Sequence, residues 1–387
     1  MSAVVRTPEP PAAVTGRPRS AGRGSRWWVV RVLVLATGLV GLSAGGGLGP
    51  RHYAEEGLTP VAGAGWLLLL AGLIASAWAT ISILRATRRR WWPLIIALLL
   101  VASYLLLWTL GQAVAASYTP RPALGGRTPA DLGMTYQDVT FSSSDGVELA
   151  GWYVPARNGA AVALMHGAGS TRTAVLEHAA VLVEHGYGVL LFDARGHGES
   201  AGRGMDFGWY GESDASGAVD FLTRQPDVSP ESIALLGVSM GGEEAIGAAG
   251  ADDRVDAVVA EGATNRVASD KGYLEAYGAR GDLQQRVDHV TYWLTDLLTD
   301  APEPDSLQRS LAIATGRRDP TSFLLITAGN VPDEAHAARY VQRASPEDVQ
   351  TWTVPYAGHT KALEAAPTEW EERVITFLDE SLAGTGQ

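Results

Sequence analysis

The chain has 387 residues, 46% of them hydrophobic and 19% charged, with a formal net charge of −12 and no cysteine. The missing cysteine excludes disulfides, thiolate metal sites and a cysteine nucleophile, and an acidic chain whose lysines are Lys271 and Lys361 alone is a poor binder of a phosphate backbone, so no nucleic-acid partner is expected. Charge is split along the chain: residues 1–113 carry 11 arginines against 3 acidic residues, net +8, while residues 114–387 carry 19 basic and 39 acidic residues, net −20, and two different surroundings are expected for them.

Residues 1–26 are rich in Pro, Gly, Ala, Ser and Arg and lack apolar periodicity, so a disordered cytoplasmic arm is predicted. Three apolar runs follow, at about 27–47, 61–84 and 91–113, the first broken only by Arg31 and the others uncharged. Each is long enough to cross a hydrocarbon core of roughly 30 Å. The first ends in Gly45, Gly46 and Gly47, and its rival reading is a cleaved signal peptide ending near Ser43 and Ala44. Two further spans favour an anchor. Five arginines precede the first run, and Arg85, Arg88, Arg89 and Arg90 fill the second loop, whereas the first loop, about 48–60, sets Arg51 against Glu55 and Glu56. Positive loops stay cytoplasmic. A multi-pass cell-membrane protein is therefore expected, with a cytoplasmic N-terminus and everything after about Ser117 extracytoplasmic. The lipid bilayer is its expected partner; oligomeric state is not legible. The span cores hold no Asp, Glu, Lys or His, so nothing supports a transport pathway.

Residues 118–133, with Pro120, Pro122 and Pro129, read as a linker, and residues 134–387 as one α/β domain. Gln137–Ser142 and Val147–Val154 flank an Asp145-Gly146 turn and predict a hairpin. Short runs apolar on both faces follow at Ala160–Met165, Gly188–Phe192, Ile233–Leu236, Ala257–Ala260, Phe323–Thr327 and Thr351–Val354. They suit parallel strands covered by helices. Helical spacing lies between them, and a last helix is predicted at about Thr368–Leu382. The alternation predicts a mostly parallel, doubly wound sheet with ligands at the carboxyl ends of its strands. Residues 264–318 interrupt the rhythm and are predicted to form a helical lid, the rival reading being extra padding of the sheet.

The chemistry converges on Ser239. Gly237-Val-Ser-Met-Gly241 stands between a predicted strand and a helix, where a tight turn needs glycines and the serine is held above the sheet. A serine hydroxyl needs a base. His359 follows the last predicted strand, so the chain order Ser, acid, His is satisfied. Asp333 and Glu334, in the loop after Phe323–Thr327, are the candidate acids, with a slight preference for Asp333. The backbone amides of Met240 and Ala168 are the candidate oxyanion donors. His166 is read as structural, and His178 and His185 as solvated. Asp193, His197 and Glu199 crowd a loop without a complete ligand set, so no metal is expected.

Together, His166-Gly-Ala-Gly169, Asp193-Ala-Arg-Gly-His-Gly-Glu-Ser200, Gly237-Val-Ser-Met-Gly241 and Gly358-His359 resemble the α/β-hydrolase superfamily, and most of all membrane-anchored bacterial members near the prolyl oligopeptidase-like and esterase branches. The resemblance runs from about Gln137 to the C-terminus. It implies an α/β-hydrolase fold, a serine nucleophile, an acyl-enzyme and no cofactor. Members often carry an Asp three residues after the strand-end glycine, where this chain has Pro332. The expected activity is hydrolysis of a small-molecule or lipid-like ester. The alternatives are a peptidase or amidase using the same triad and a non-catalytic membrane scaffold.

Overall fold

A computed structural model describes residues 21–382, which leaves residues 1–20 of the predicted arm outside the described residues. Three long apolar helices come first: α1 (Ala21–Glu56), α2 (Pro60–Ala86) and α3 (Arg89–Ser117). Each is long and apolar enough to cross a membrane. Pro60 opens α2, where its missing N–H costs nothing, and the Thr59 hydroxyl accepts the Ala62 N–H at 3.2 Å. At the turn into α3 the Trp92 indole donates to the Leu84 carbonyl at 2.8 Å.

The glycines expected to end the first span do not end it. The helix runs through Gly45–Gly47 and Pro50 to Glu56, so most of the expected first loop is helical. Gly41, Gly45 and Gly49 recur every fourth residue and share one face. A Cβ on Gly45 would collide with the backbone of Leu69, and one on Gly65 with the backbone of Gly49. The two helices touch main chain to main chain, and this close packing offsets glycine's poor helix propensity. Within α3 the winding loosens to a π turn at Leu107–Gly111.

The segment after Ser117 is an ordered strap rather than a free linker. Arg121 donates to the Gly202 carbonyl at 3.1 Å, its N–H donates to Glu56 at 2.8 Å, and the Pro122 carbonyl accepts the Gly198 N–H at 3.0 Å. The strap ends in a 3₁₀ turn, Pro129–Leu132, closed by a capping box between Thr128 and Asp131.

Eight strands form one sheet in the order β1-β2-β4-β3-β5-β6-β7-β8: β1 (Gln137–Ser142), β2 (Glu148–Val154), β3 (Ala161–Met165), β4 (Gly188–Phe192), β5 (Ile233–Val238), β6 (Ala257–Glu261), β7 (Ser322–Ala328) and β8 (Val349–Val354). The β1–β2 and β2–β4 pairs are antiparallel and every other pair is parallel. Alternation divides each inner strand between two cores. Val162 and Leu164 join one core with α4 (Leu176–Glu184) and α10 (Pro367–Leu382). Ala161, Ala163 and Met165 join the other with α5 (Gly211–Leu222) and α6 (Met240–Ala251).

The insertion after β6 divides its labour. Its 3₁₀ segment, Ala268–Tyr277, leads into α7 (Ala279–Leu298) and then α8 (Leu307–Thr315). Leu307, Leu311 and Ala314 of α8 enter the second core, so this part pads the sheet. By contrast α7 leans on the last turns of α3, where the Trp108 indole donates to Asp288 at 3.4 Å. The last helix before the final strand, α9 (Pro332–Gln342), packs on β7.

Candidate active site

Ser239 caps β5 with φ 55° and ψ −121°, a backbone that side-chain residues rarely adopt. It is held there from both sides. Its N–H donates to the Glu261 carbonyl at 2.7 Å, and its own carbonyl accepts from Gly242 at 2.9 Å and Glu243 at 3.1 Å as α6 begins. A Cβ at Gly241 would collide with the Met165 carbonyl, so the turn closes only with glycine there.

His359 sits between β8 and α10, in a loop whose Tyr356 (φ 62°) and Thr360 (φ 54°) are both left-handed. Its Nε2 lies 2.9 Å from the Ser239 Oγ, and its Nδ1 lies 2.7 Å from the Glu334 Oε1. An ionised carboxylate only accepts, so Nδ1–H donates to Glu334 and the Nε2 lone pair is left facing the serine hydroxyl. The bond from Glu334, opposed by partial burial, raises the His359 pKa above its ordinary value.

The slight preference for Asp333 is corrected by this geometry. Glu334 is 1% exposed, and its Oε2 accepts the Ala328 N–H at 2.7 Å. Asp333 faces outward and accepts the Tyr277 hydroxyl. The two are the second and third residues of α9, and one step along a helix turns a side chain by about 100°. The step separates solvent from sheet. The longer Glu at the third position can also fold back over the helix start.

The loop His166–Gly169 faces the serine: a Cβ on Gly167 would lie 3.3 Å from the Ser239 Cβ. Ala168 belongs to this loop and Met240 heads α6, where helix amides present positive partial charge. His166 is buried and fixed, its Nδ1–H donating to the Gly167 carbonyl at 2.8 Å and its Nε2 accepting the Ala194 N–H at 3.0 Å. Burial, with His197 adjacent, pushes its pKa down to about 3, so it is a neutral shaping residue. Asp193 is engaged by Arg172, through a 2.6 Å ion pair and a 2.8 Å bond from its backbone N–H. His178, expected in solvent, is buried edge-on against Trp370 with ring centroids 5.2 Å apart, because its helix turns it toward the core. His185 is half exposed and bonded to Glu371 at 2.8 Å.

Three further residues shape the site without having been singled out in the sequence. Gly262 (φ +71°) follows β6, and a Cβ there would stand 3.0 Å from the His359 Cε1. Glu261 supports the histidine loop by accepting the Ala362 N–H at 2.8 Å. Glu243 is buried beneath the serine turn and accepts the N–H groups of Thr264 (3.0 Å) and Asn265 (2.9 Å); burial pushes its pKa up to about 7. A strand-end Glu-Gly pair was the available signal, and it is too common to act on.

Comparison with known proteins agrees with this architecture. A family model described as serine aminopeptidase, S33, matches residues 156–312, which include Ser239 and stop short of Glu334 and His359. An uncharacterized protein, YfhR, from Salmonella typhi is 33% identical over 36% of this chain and 47% of its own length. The thiohydrolase aneE of Aspergillus aculeatus is 42% identical over 32% of this chain and 41% of its own length. The chain thus spans about half the length of the curated relatives it matches. The solved structure of the Pyrococcus furiosus esterase Pf2001 superposes with a TM-score of 0.51 at 25% identity, covering 68% of this chain and 100% of that one. The sheet order, the strand–serine–helix turn and these likenesses together give this chain the α/β-hydrolase fold.

Proposed function

We propose that the chain is a membrane-anchored serine hydrolase that cleaves carboxylic esters on the extracytoplasmic side. The observation that carries this reading is the unbroken chain of hydrogen bonds from Ser239 through His359 to buried Glu334, at the head of α6 and facing the His166–Gly169 loop. His359 takes the Ser239 proton as Oγ attacks the ester carbonyl. The tetrahedral oxyanion rests on the Met240 and Ala168 amides. The C–O bond to the leaving group then breaks, His359 returns the proton to that oxygen, and the alcohol departs. Water, deprotonated by His359, attacks the acyl-enzyme, releasing the acid and restoring the Ser239 hydroxyl. Glu334 holds the imidazole and stabilises its charged form between these transfers.

Three apolar helices support the anchor, and the arginines at the Arg85–Arg90 turn support the orientation. A peptidase reading keeps one specific support, the aminopeptidase description of the matching family model. Hydrolysis of p-nitrophenyl esters against aminoacyl anilides separates the two. The deciding experiment treats intact cells with a membrane-impermeant fluorophosphonate, wild type beside Ser239→Ala. Labelling of wild type alone is expected, with Ser239→Ala losing turnover by on the order of 10⁴-fold or more. Labelling only after lysis overturns the orientation, and no labelling of folded protein overturns the hydrolase reading.

A further inference from the structure

Between α1 and α3, at the ends nearest the hydrolase domain, lies a groove of about 400 Å³ lined by Gly46, Gly47, Arg51, Leu107, Trp108 and Gly111, among others. That volume falls within the roughly 300–1,000 Å³ of small-molecule sites. We propose that it takes the hydrocarbon chain of a bilayer lipid and presents that lipid's acyl ester to Ser239. The inference rests on the ester-hydrolase reading and names its substrate class.

Local structure makes the hollow. Of the three lining glycines, Gly47 and Gly111 let the helices close on each other, a Cβ on Gly47 colliding with the Gly111 carbonyl oxygen, while Gly46 leaves its part of the groove free of side chain. The π turn of α3 spans Leu107–Gly111, the stretch that walls the groove, and such turns cluster at functional sites. Tyr104 and Trp108 stack with centroids 6.1 Å apart to complete that wall. Tyr104 and Leu107 are also exposed on the outer face of an apolar helix. The surroundings of such a face in a membrane are acyl chains, so hydrocarbon is the occupant that the groove meets.

The groove and the candidate active site are linked by one loop. Arg51 marks its polar end, bonded through Nη2 to Asp206 at 3.0 Å and through Nη1 to the Ala115 carbonyl at 3.3 Å. A Cβ on Gly169 would lie 3.4 Å from the Arg51 Nη2, while Gly167 faces Ser239. One four-residue loop therefore has the nucleophile at one end and the mouth of the groove at the other. Beside Trp108, α7 carries exposed Leu283, Val290, Trp293 and Leu297. At helical spacing they form one apolar stripe, as in helices that lie on a bilayer surface.

The test uses the full chain in phosphatidylglycerol nanodiscs containing phosphatidylglycerol with a diazirine at the end of one acyl chain. After photolysis, adducts are expected to concentrate on peptides holding Gly46–Arg51 and Tyr104–Ala115. Adducts spread evenly over the outer faces of the three helices overturn the proposal. A second arm substitutes Gly46→Leu. A Cβ there makes only ordinary contacts, 3.4 Å from Leu107 and 3.9 Å from Leu69, so the side chain fits and fills the hollow. The laurate-to-butyrate ratio of kcat/KM is expected to fall by about tenfold, equivalent to losing roughly two buried methylenes. Fluorophosphonate labelling reports that the variant is folded, and an unchanged ratio in a labelled variant overturns the groove. Should wild type hydrolyse no ester, the function reading fails and the adduct map still decides the groove. Should it hydrolyse esters with scattered adducts, the groove fails and the function stands.

Discussion

Asp333 and Glu334 are neighbours of identical charge, yet only Glu334 bonds to His359. Glu334→Gln should lower kcat by about 10²- to 10⁴-fold, because an amide does not hold the imidazole in the same tautomer or stabilise its charged form. Asp333→Asn should change it by less than about threefold. Steady-state rates on one p-nitrophenyl ester compare the two, and equal losses would sink the assignment. The pH profile follows from the same pair. The base acts when neutral, and Glu334 raises its pKa, so kcat/KM should climb along an acid limb centred above 6.5, moving down in Glu334→Gln. Stability runs the other way: the His359–Glu334 pairing stabilises fully below the unfolded pKa of 6.5 and fades as pH rises through the folded value. Glu243 adds a second signature. Its folded pKa of about 7 stands above the ordinary 4.5, so the fold loses stability as pH rises between those values. Glu243→Gln, which still offers an oxygen to Thr264 and Asn265, should flatten that slope and gain about 2 kcal/mol at pH 8. Thermal melting in detergent across pH measures it.

At the scale of elements, the sequence yields segment type well and close approach poorly. Alternating apolar runs mark the strands because both faces of an inner strand are buried, as Ala161–Met165 illustrates. Glycine is ambiguous. At Gly45–Gly47 it reads as a helix end, whereas it serves as the contact surface of a continuing helix. Gly45→Ala should therefore destabilise the α1–α2 pair, by roughly 1–3 kcal/mol, even though alanine is the better helix former. A lower melting temperature in detergent is the expected result, and an unchanged or higher one would show that the helices separate at no cost. Gly262 is the parallel case in the hydrolase domain, needed both for its φ of +71° and for the room it leaves His359.

For the whole molecule, the three apolar helices and the α/β domain are joined by named contacts. Arg51 pairs with Asp206, Arg203 donates to the Ser117 carbonyl at 3.1 Å, and Trp108 reaches Asp288. The Arg51–Asp206 pair is partly exposed and worth about 1 kcal/mol. Arg51→Ala should accordingly speed hydrogen exchange at residues 203–207 without unfolding the sheet, and unchanged exchange would show that the pair couples nothing. Much is legible in the amino-acid sequence by itself: three apolar spans, an alternating α/β pattern, the Ser239 turn and a histidine after the last strand. Each is written in a short stretch of chain, where apolar period, glycine spacing and order along the sequence carry the information. What only tertiary structure decided are relations across space. The phase of α9 selects Glu334 over Asp333, the approach of α1 to α2 turns glycines from stops into contacts, and Arg51 reaches the loop opposite Ser239. These depend on how distant segments pack, and one residue of helix rotation is enough to reverse them.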